Sequence, residues 1–186
     1  LLADSRHSSD SAAPVTEDTP WTLRPVTTTQ DYALFKDLLL EYAAKDLADA
    51  ANSSIWKDLE ALPTRYGPPH GAAWLAYAGD ELAGCGALTT TEQAGVAEIK
   101  RIYVRNAFRR QGLAHTLTKQ LVTQAQAMGY HTAAISTWPE NVQALNLYRE
   151  LGFTPITPFK THTHAQLVFL GVTLGPQGPA NASLST

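Results

Sequence analysis

The chain has 186 residues, of which 44% are hydrophobic and 17% are charged, and its formal net charge is −3. This length suits a single domain with a well-buried core, and the composition is that of a globular protein. No apolar run approaches the length that crosses a bilayer, and the mildly acidic balance argues against binding nucleic acid through bulk positive charge. We therefore expect neither a membrane nor a nucleic acid as a partner.

Composition also predicts the ends of the domain and its compartment. Residues 1–20 are rich in Ser, Asp and Pro and lack the apolar core of a secretory signal, so we predict a flexible leader. Residues 175–186 are rich in Gly, Pro and Ser and predict a flexible tail, which leaves a domain over residues 21–174. Cys85 is the only cysteine, so no intrachain disulfide can form, which fits a reducing cytoplasm. Its place between two glycines in a strand-like run is typical of a buried core residue.

The first predicted elements are a strand and two helices. Residues 21–25 have the pattern of a strand, and residues 31–44 repeat apolar side chains at helical spacing. Ser53 or Ser54 is suited to cap a second, short helix that ends before Pro63.

A hairpin is predicted next. The Pro and Gly content of residues 65–71 indicates a loop, and two strands then follow over residues 73–77 and 81–89, around an Ala-Gly-Asp turn. The last strand of the chain is expected over residues 166–173.

Between these lies a strand, a loop and a long helix. Residues 98–104 combine β-branched and aromatic side chains without Gly or Pro, which predicts a strand. Leu113, Leu117 and Leu121 recur at helical spacing, so a helix begins near Gly112, and Gly129 suits a left-handed C-terminal cap.

The loop before this helix is suited to hold a phosphate or diphosphate. A first helical turn has backbone N–H groups without intrahelical acceptors and carries the positive end of the helix dipole. Gly112 and Ala114 lack bulk, so a phosphate can approach the backbone, and Arg109 and Arg110 add charged donors. Residues 98–119 hold six basic side chains against one acid, in a chain that is acidic overall. A short Arg-rich turn of this kind is also typical of a solvated loop.

Two blocks of sequence resemble the Gcn5-related N-acetyltransferase (GNAT) superfamily. The segment Arg109-x-x-Gly112-x-Ala114 is similar to the family's acetyl-CoA loop, with Ala in the last place. Residues 134–153 are similar to its next strand, an Asn, and a helix with a Tyr that ends in Leu-Gly-Phe. The likeness covers about residues 21–170, and upstream of the first block it is a match of element order only.

The resemblance implies an α/β fold with a mixed sheet in the order β-α-α-β-β-β-α-β-α-β, whose fourth and fifth strands splay apart. The pantetheine arm of acetyl-CoA would lie between those strands. Three groups of contacts are implied: backbone of Ile102, Tyr103 and Val104 with pantetheine; Arg109, Arg110, Gln111, Gly112, Leu113, Ala114 and His115 with the diphosphate; and the side chains of Asn141 and Tyr148.

Acetyl transfer to an amine requires a base, stabilisation of an oxyanion, and an acid for the thiolate. Glu98, the sole acid on the basic strand, is the candidate base, either directly or through a water chain; it could instead only pair with Lys100 or Arg101. Tyr148 stands where the resemblance implies the acid, although a Tyr in an apolar helix pattern is ordinarily a core residue. Asn141 would on composition alone be a helix N-cap.

We therefore predict an N-acetyltransferase that moves an acetyl group from acetyl-CoA to a small-molecule or peptide amine by direct transfer in a ternary complex. The first 97 residues hold 14 acids and 6 bases, which mildly favours a cationic amine. His162 and His164 lack a nearby Cys or carboxylate, so we expect no metal and place them on the surface or the acceptor side.

The alternative function is that of a catalytically silent acyl-CoA sensor. A P-loop or dinucleotide-binding module is disfavoured because neither of their glycine-rich motifs is present. The oligomeric state stays open, a homodimer included.

Overall fold

The computed structural model describes residues 20–47, 49–161 and 166–175. The predicted leader and tail, apart from Pro20 and Gly175, and the predicted surface or acceptor-side positions of His162 and His164 lie outside the described residues. The strands are β1 (Trp21–Pro25), β2 (Ala72–Ala78), β3 (Glu81–Thr90), β4 (Val96–Val104), β5 (Thr132–Thr137), β6 (Thr154–Pro155) and β7 (Val168–Thr173). The helices are α1 (Thr29–Lys45), α2 (Ile55–Glu60), α3 (Leu62–Tyr66), α4 (Leu113–Ala127) and α5 (Val142–Glu150).

Helix α1 begins two residues before the predicted start because of its cap. Thr28 accepts a hydrogen bond from the backbone N–H of Asp31 at 3.1 Å, and the Asp31 carboxylate accepts from the Thr28 N–H at 2.8 Å. This reciprocal arrangement satisfies two N–H groups that a helix start otherwise leaves unpaired.

The short helical segment differs from the prediction. Two helices occur where one was expected, since Pro63 lies in the first turn of α3, where its missing N–H costs nothing. Ser54 precedes α2, but its side chain does not cap the helix and accepts instead from the guanidinium of Arg101 at 2.9 Å. Ser53 accepts from the backbone N–H of Ile55 at 3.2 Å. The two-residue strand β6 was also not predicted.

The seven strands form one mixed sheet in the order β1-β2-β3-β4-β5-β7-β6. Neighbouring strands are antiparallel except β4 and β5, which run parallel and are connected through α4. The predicted α/β fold with a mixed sheet is confirmed. Among the described residues, no helix is both long and apolar enough to cross a bilayer.

Helices cover both faces of the sheet. On β2, Leu75 packs with α1, α2 and α3, while its neighbour Ala76 packs with the start of α4, as expected for alternating side chains. Cys85 lies on the α1 face, has no exposed surface, and burial raises the pKa of its thiol. It is the small core residue that the sequence indicated, in an environment that does not favour the reactive thiolate.

Candidate active site

Strands β4 and β5 part soon after they meet. Their pairing extends over three residues of β4, from Val96 opposite Thr132 to Glu98 opposite Ala134. Beyond that point β5 continues to pair with β7, while β4 continues to pair with β3. The result is a wedge-shaped opening at the centre of the sheet, which we call the strand gap, and Glu98 lies where it begins.

A bulge in β4 determines which side chains lie on each face of the sheet beside the strand gap. Ala87 of β3 pairs with Lys100, but Cys85 pairs with Tyr103, so one β3 residue opposes two on β4. Arg101 takes a left-handed conformation there, with φ of 60°. A bulge re-aims side chains, and both Lys100 and Arg101 reach Asp58 on the α2 side.

The end of β4 offers its backbone rather than its side chains. Ile102, Tyr103 and Val104 all pack their side chains into the core clusters. Arg105 donates its N–H to Ala83 of β3 at 2.9 Å. Because polar groups alternate sides along a strand, the peptide groups of Tyr103 face β3 and those of Val104 face the strand gap.

The loop before α4 is built to expose backbone donors. Arg110 and Gly112 have left-handed φ values of 59° and 83°, and Gly112 is the N-cap residue. No side chain caps this helix and its first turn carries no acid. The carbonyl of Gly112 accepts from the N–H of Thr116 at 3.0 Å, which closes the first intrahelical turn. A Cβ at Gly112 would meet no atom within 4 Å, so the turn faces open space.

Side chains of the loop are distributed in a way the sequence did not indicate. Arg109 donates from Nε to the carbonyl of Val104 at 2.8 Å and forms an ion pair with Asp46 at the end of α1. Gln111 donates to the carbonyl of Ala107 at 3.1 Å. These two side chains fasten the loop, instead of extending as further donors.

The remaining predicted loop residues divide by burial. Leu113 is buried in the core beneath the loop, so only its backbone is available. Ala114 and His115 are half-buried on the first turn of α4, and Arg110 is exposed.

Tyr148 lies on α5 with its ring against the core. The ring centroid is 5.7 Å from that of Phe153. Burial raises the pKa of Tyr148 to about 12, and nearby Tyr42 adds to the increase. Tyr42, on α1, also packs 5.7 Å from the ring of Tyr103 on β4. Tyr42 therefore neighbours both Tyr148 and the strand that borders the gap. The raised pKa means that the Tyr148 phenol stays protonated at neutral pH.

Asn141 caps α5. Its side-chain oxygen accepts from the N–H of Ala144 at 3.2 Å, as composition alone indicated.

Glu98 is buried and held by three polar groups. Lys160, from the connection between β6 and β7, donates to Oε1, and Ser136 of β5 donates to the same oxygen at 3.3 Å. Lys100 Nζ lies 3.9 Å from Oε2. The pairing with Lys100 was one of the alternatives for Glu98, whereas Arg101 pairs with Asp58 and not with Glu98.

Three residues of this site were missed in the sequence: Asp58, Lys100 as a buried group, and Lys160. Asp58 has no exposed surface, although it lies in a six-residue helix with a polar pattern. Burial and then Arg101 lower the pKa of Lys100 to about 8, while Glu98 and Asp58 act in the opposite direction. The alternation of side chains along β4 could have indicated that Lys100 lies on a buried face. From the sequence alone, this lysine was considered only in the count of basic residues and as a partner of Glu98.

A family model for the acetyltransferase (GNAT) family matches residues 34–153, which include the strand gap, the loop and α5. The chain belongs to the GNAT family. The splayed strands are confirmed as part of a GNAT fold.

Proteins named as N-acetyltransferases are similar to much of the chain. An uncharacterised N-acetyltransferase of Schizosaccharomyces pombe is 29% identical over 142 residues, covering 76% of this chain and 87% of the relative. The uncharacterised N-acetyltransferase YjgM of Escherichia coli is 32% identical over 101 residues, covering 53% of this chain and 60% of the relative.

Solved GNAT structures share the fold. An acetyltransferase of Staphylococcus aureus has a TM-score of 0.67 at 15% identity, covering 83% of this chain and 99% of its own. A Bacillus subtilis acetyltransferase in complex with CoA has a TM-score of 0.61 at 24% identity, with the same coverage. At these identities the likeness concerns the fold alone.

Proposed function

We propose that this GNAT protein transfers the acetyl group of acetyl-CoA directly to an amine, with both substrates bound at once. The observation that carries the proposal is the uncapped start of α4 beside the strand gap. Exposed N–H groups, left-handed Gly112 and open space in front of it fit an anionic diphosphate. A gap bordered by unpaired strand backbone fits an extended arm with amide groups. Membership of a family with a CoA-bound member supports the same donor.

The donor contacts follow from how each residue is oriented. Backbone N–H groups from Arg110 to His115 would hold the diphosphate, with the exposed Arg110 side chain adding charge. The N–H of Val104 faces the strand gap and would bond the pantetheine arm, with the Ile102 backbone beside it, whereas the Val104 carbonyl already accepts from Arg109. Arg109 and Gln111 would act by fastening the loop.

Tyr148 would supply the proton that the departing thiolate needs. Its raised pKa keeps the phenol protonated throughout the neutral range, which an acid requires before the step. Because this phenol is a weaker acid than a thiol, transfer to a free thiolate would be uphill, so the proton would pass in concert with cleavage of the carbon–sulfur bond. The phenolate would then regain its proton from solvent. Asn141 would contribute by fixing the start of α5, and hence the position of Tyr148.

Glu98 would take the proton from the amine, directly or through a water. It lies at the apex of the strand gap, where the acetyl end of an arm lying in the gap would arrive. Its ion pairs with Lys160 and Lys100 hold the carboxylate in place at this point. The backbone at the β4 bulge is the proposed donor to the oxyanion.

The experiment is a panel of amines assayed for free thiol released from acetyl-CoA, with CoA binding measured separately by calorimetry. We expect micromolar-range binding of CoA and turnover with at least one amine. Tyr148→Phe and Glu98→Gln should each lower kcat by about 100-fold while CoA still binds. Binding of CoA without turnover on any amine would favour the sensor, and absence of CoA binding would refute the donor site as well.

A further inference from the structure

Beside the strand gap, six charged side chains form a continuous group on the α2 side of the sheet. It begins at α2 and α3, crosses β4, and ends in the connection between β6 and β7. We call it the charged cluster; its members are Asp58, Arg65, Glu98, Lys100, Arg101 and Lys160.

One end of the charged cluster surrounds Asp58. Arg101 bonds Oδ2 through Nε at 2.8 Å and Nη2 at 2.6 Å, and the hydroxyl of Tyr66 donates to the same oxygen. Arg65 Nε lies 2.9 Å from Oδ1 but lacks the alignment of a hydrogen bond, and Lys100 Nζ lies 3.6 Å from Oδ2. One carboxylate thus serves three cations.

The other end is centred on Glu98, which is shared between Lys160 and Lys100. Lys160 also donates to the hydroxyl of Ser136 at 2.9 Å. Glu92 is the next acid along this surface, and its carboxylate accepts from the backbone and hydroxyl of Thr161. Lys100 lies between the carboxylates of Asp58 and Glu98 and is at hydrogen-bonding distance from neither.

The charged cluster carries more positive than negative charge. Four cations face two carboxylates, an excess of two, and the side chains of Lys100 and Arg101 are only 12% and 7% exposed. Burying a cation without a full counter-charge is unfavourable. The lowered pKa of Lys100 reflects this, since burial and Arg101 together outweigh both acids. An added anion would relieve the imbalance.

The excess charge is accessible from the place where the acceptor must lie. The side chains of Arg65 and Lys160 are 48% and 27% exposed, and they flank Lys100 from opposite ends of the cluster. Glu98, the proposed base, is a member of the cluster. An amine within reach of Glu98 would thus place its substituents against these cations.

We propose that the amine acceptor carries a carboxylate, which binds to Arg65, Lys100 and Lys160 while its amine faces Glu98. Amino acids, or peptides with a nearby acidic group, are the substrate class. This inference rests on the proposed acetyl transfer and narrows its acceptor.

Three acids of the acid-rich first half, which mildly favoured a cationic acceptor, are paired with protein cations. Glu41 pairs with Arg105, and Asp46 pairs with Arg109. With Asp58 occupied by Arg101, these acids compensate protein cations and do not form a free acidic surface at the site.

The experiment compares acceptors that differ only in the carboxylate: each amino acid against its own amide, and spermidine as a cationic amine. We expect kcat/KM to be at least about tenfold higher for acids than for their amides, mostly through KM. Equal rates for acid and amide, or a preference for spermidine, would overturn the inference while leaving acetyl transfer intact.

Charge-removing variants separate recognition from structure. Arg65→Gln and Lys160→Gln should raise the KM for the acid and shrink the preference for acid over amide, whereas a merely structural defect lowers both rates equally. Lys57→Gln, which removes an exposed charge on α2, is the matched control and should keep the preference for acid over amide. Arg65→Lys retains the positive charge and should keep part of that preference. An unchanged preference in both Arg65→Gln and Lys160→Gln would contradict the assignment.

A failure of the proposed function gives a different pattern. If no amine is acetylated, NMR titration of the CoA-bound protein with an amino acid and with its amide still tests the carboxylate site. Selective binding of the acid, lost in Arg65→Gln, would support the site in a protein without transfer. Equal binding of both, or of neither, would overturn it.

Discussion

Arg109 and Val104 tie the candidate donor loop to the end of strand β4. The Nε of Arg109 donates to the carbonyl of Val104 at 2.8 Å, and the same guanidinium pairs with Asp46 and lies over the ring of Tyr103. One side chain thus connects the loop, the strand that borders the gap, and the end of α1. The loop's backbone amides are held in place by this connection.

Replacing Arg109 should therefore weaken CoA binding more than it weakens the fold. In Arg109→Gln the bond to Val104 is lost, which we expect to cost about 1 kcal/mol of loop order and to raise the Kd for CoA about fivefold in calorimetry. Asp46→Asn is the matched control, since it removes only an exposed ion pair, which contributes little. Equal effects of the two variants would show that the ion pair, and not the Val104 bond, matters.

Gly112 offers a test with an internal control for backbone strain. Gly112 and Gly129 lie at opposite ends of α4 with φ of 83° and 85°, and a Cβ at either would meet no atom within 4 Å. Alanine at each should cost about 1 kcal/mol of folding free energy, measured by denaturant unfolding. Only Gly112→Ala should weaken CoA binding, by about tenfold, because its methyl group would fill the space proposed for the diphosphate. A similar loss in Gly129→Ala would point to strain alone.

The parts of the site that the sequence predicted are those encoded by adjacent residues. Helical spacing after Gly112 and the glycines at both ends of α4 are local patterns, so the amino-acid sequence alone locates the helix and its exposed N-terminus. The same is true of the Asn141 cap, which depends on a residue three positions away.

What could not be predicted depends on distant pairs. Asp58 and Arg101 are 43 residues apart, and Glu98 and Lys160 are 62 apart. No periodic pattern records such a contact, and the bulge that turns Arg101 towards Asp58 lies in a run without Gly or Pro. The electrostatics of the acceptor side therefore emerged only from the fold.

Removing the Tyr148 hydroxyl should reduce turnover but leave CoA binding intact. Tyr148→Phe keeps the ring that packs against Phe153 and removes only the hydroxyl, so we expect CoA affinity within about twofold of the parent and kcat lower by about 100-fold. Leu147→Met on the same helix is a packing control. The pH dependence gives a second check. The pKa of Tyr148 is raised from the ordinary value of 10.0 to about 12, so deprotonation of its phenol should not reduce activity below pH 10. An alkaline loss near pH 9 that vanishes in Tyr148→Phe would argue against this environment.

Asp58 should contribute more to stability than any exposed acid of the chain. Asp58→Asn leaves Arg101 and Lys100 buried without their counter-charge, so unfolding free energy should fall by about 3 to 5 kcal/mol. Asp37→Asn, an exposed change of the same kind on α1, should alter it by less than about 0.5 kcal/mol. Chemical denaturation at neutral pH measures both.

The same carboxylate should dominate the response of the fold to acid. Burial opposes the charge on Asp58, but Lys100, Arg101 and the hydrogen bond from Tyr66 together outweigh burial, so its pKa lies below the ordinary value of 3.8. A carboxyl whose pKa is lowered on folding stabilises the protein above its unfolded pKa, and that stabilisation is lost as the pH falls through the folded pKa. Unfolding free energy of the parent protein should thus decline below about pH 4, as ordinary carboxyl pKa values imply. Asp58→Asn should show a shallower decline over the same range, because it has already lost this contribution. Parallel pH profiles for the two proteins would mean that acid lability arises at other carboxylates, such as Glu41 in its pair with Arg105.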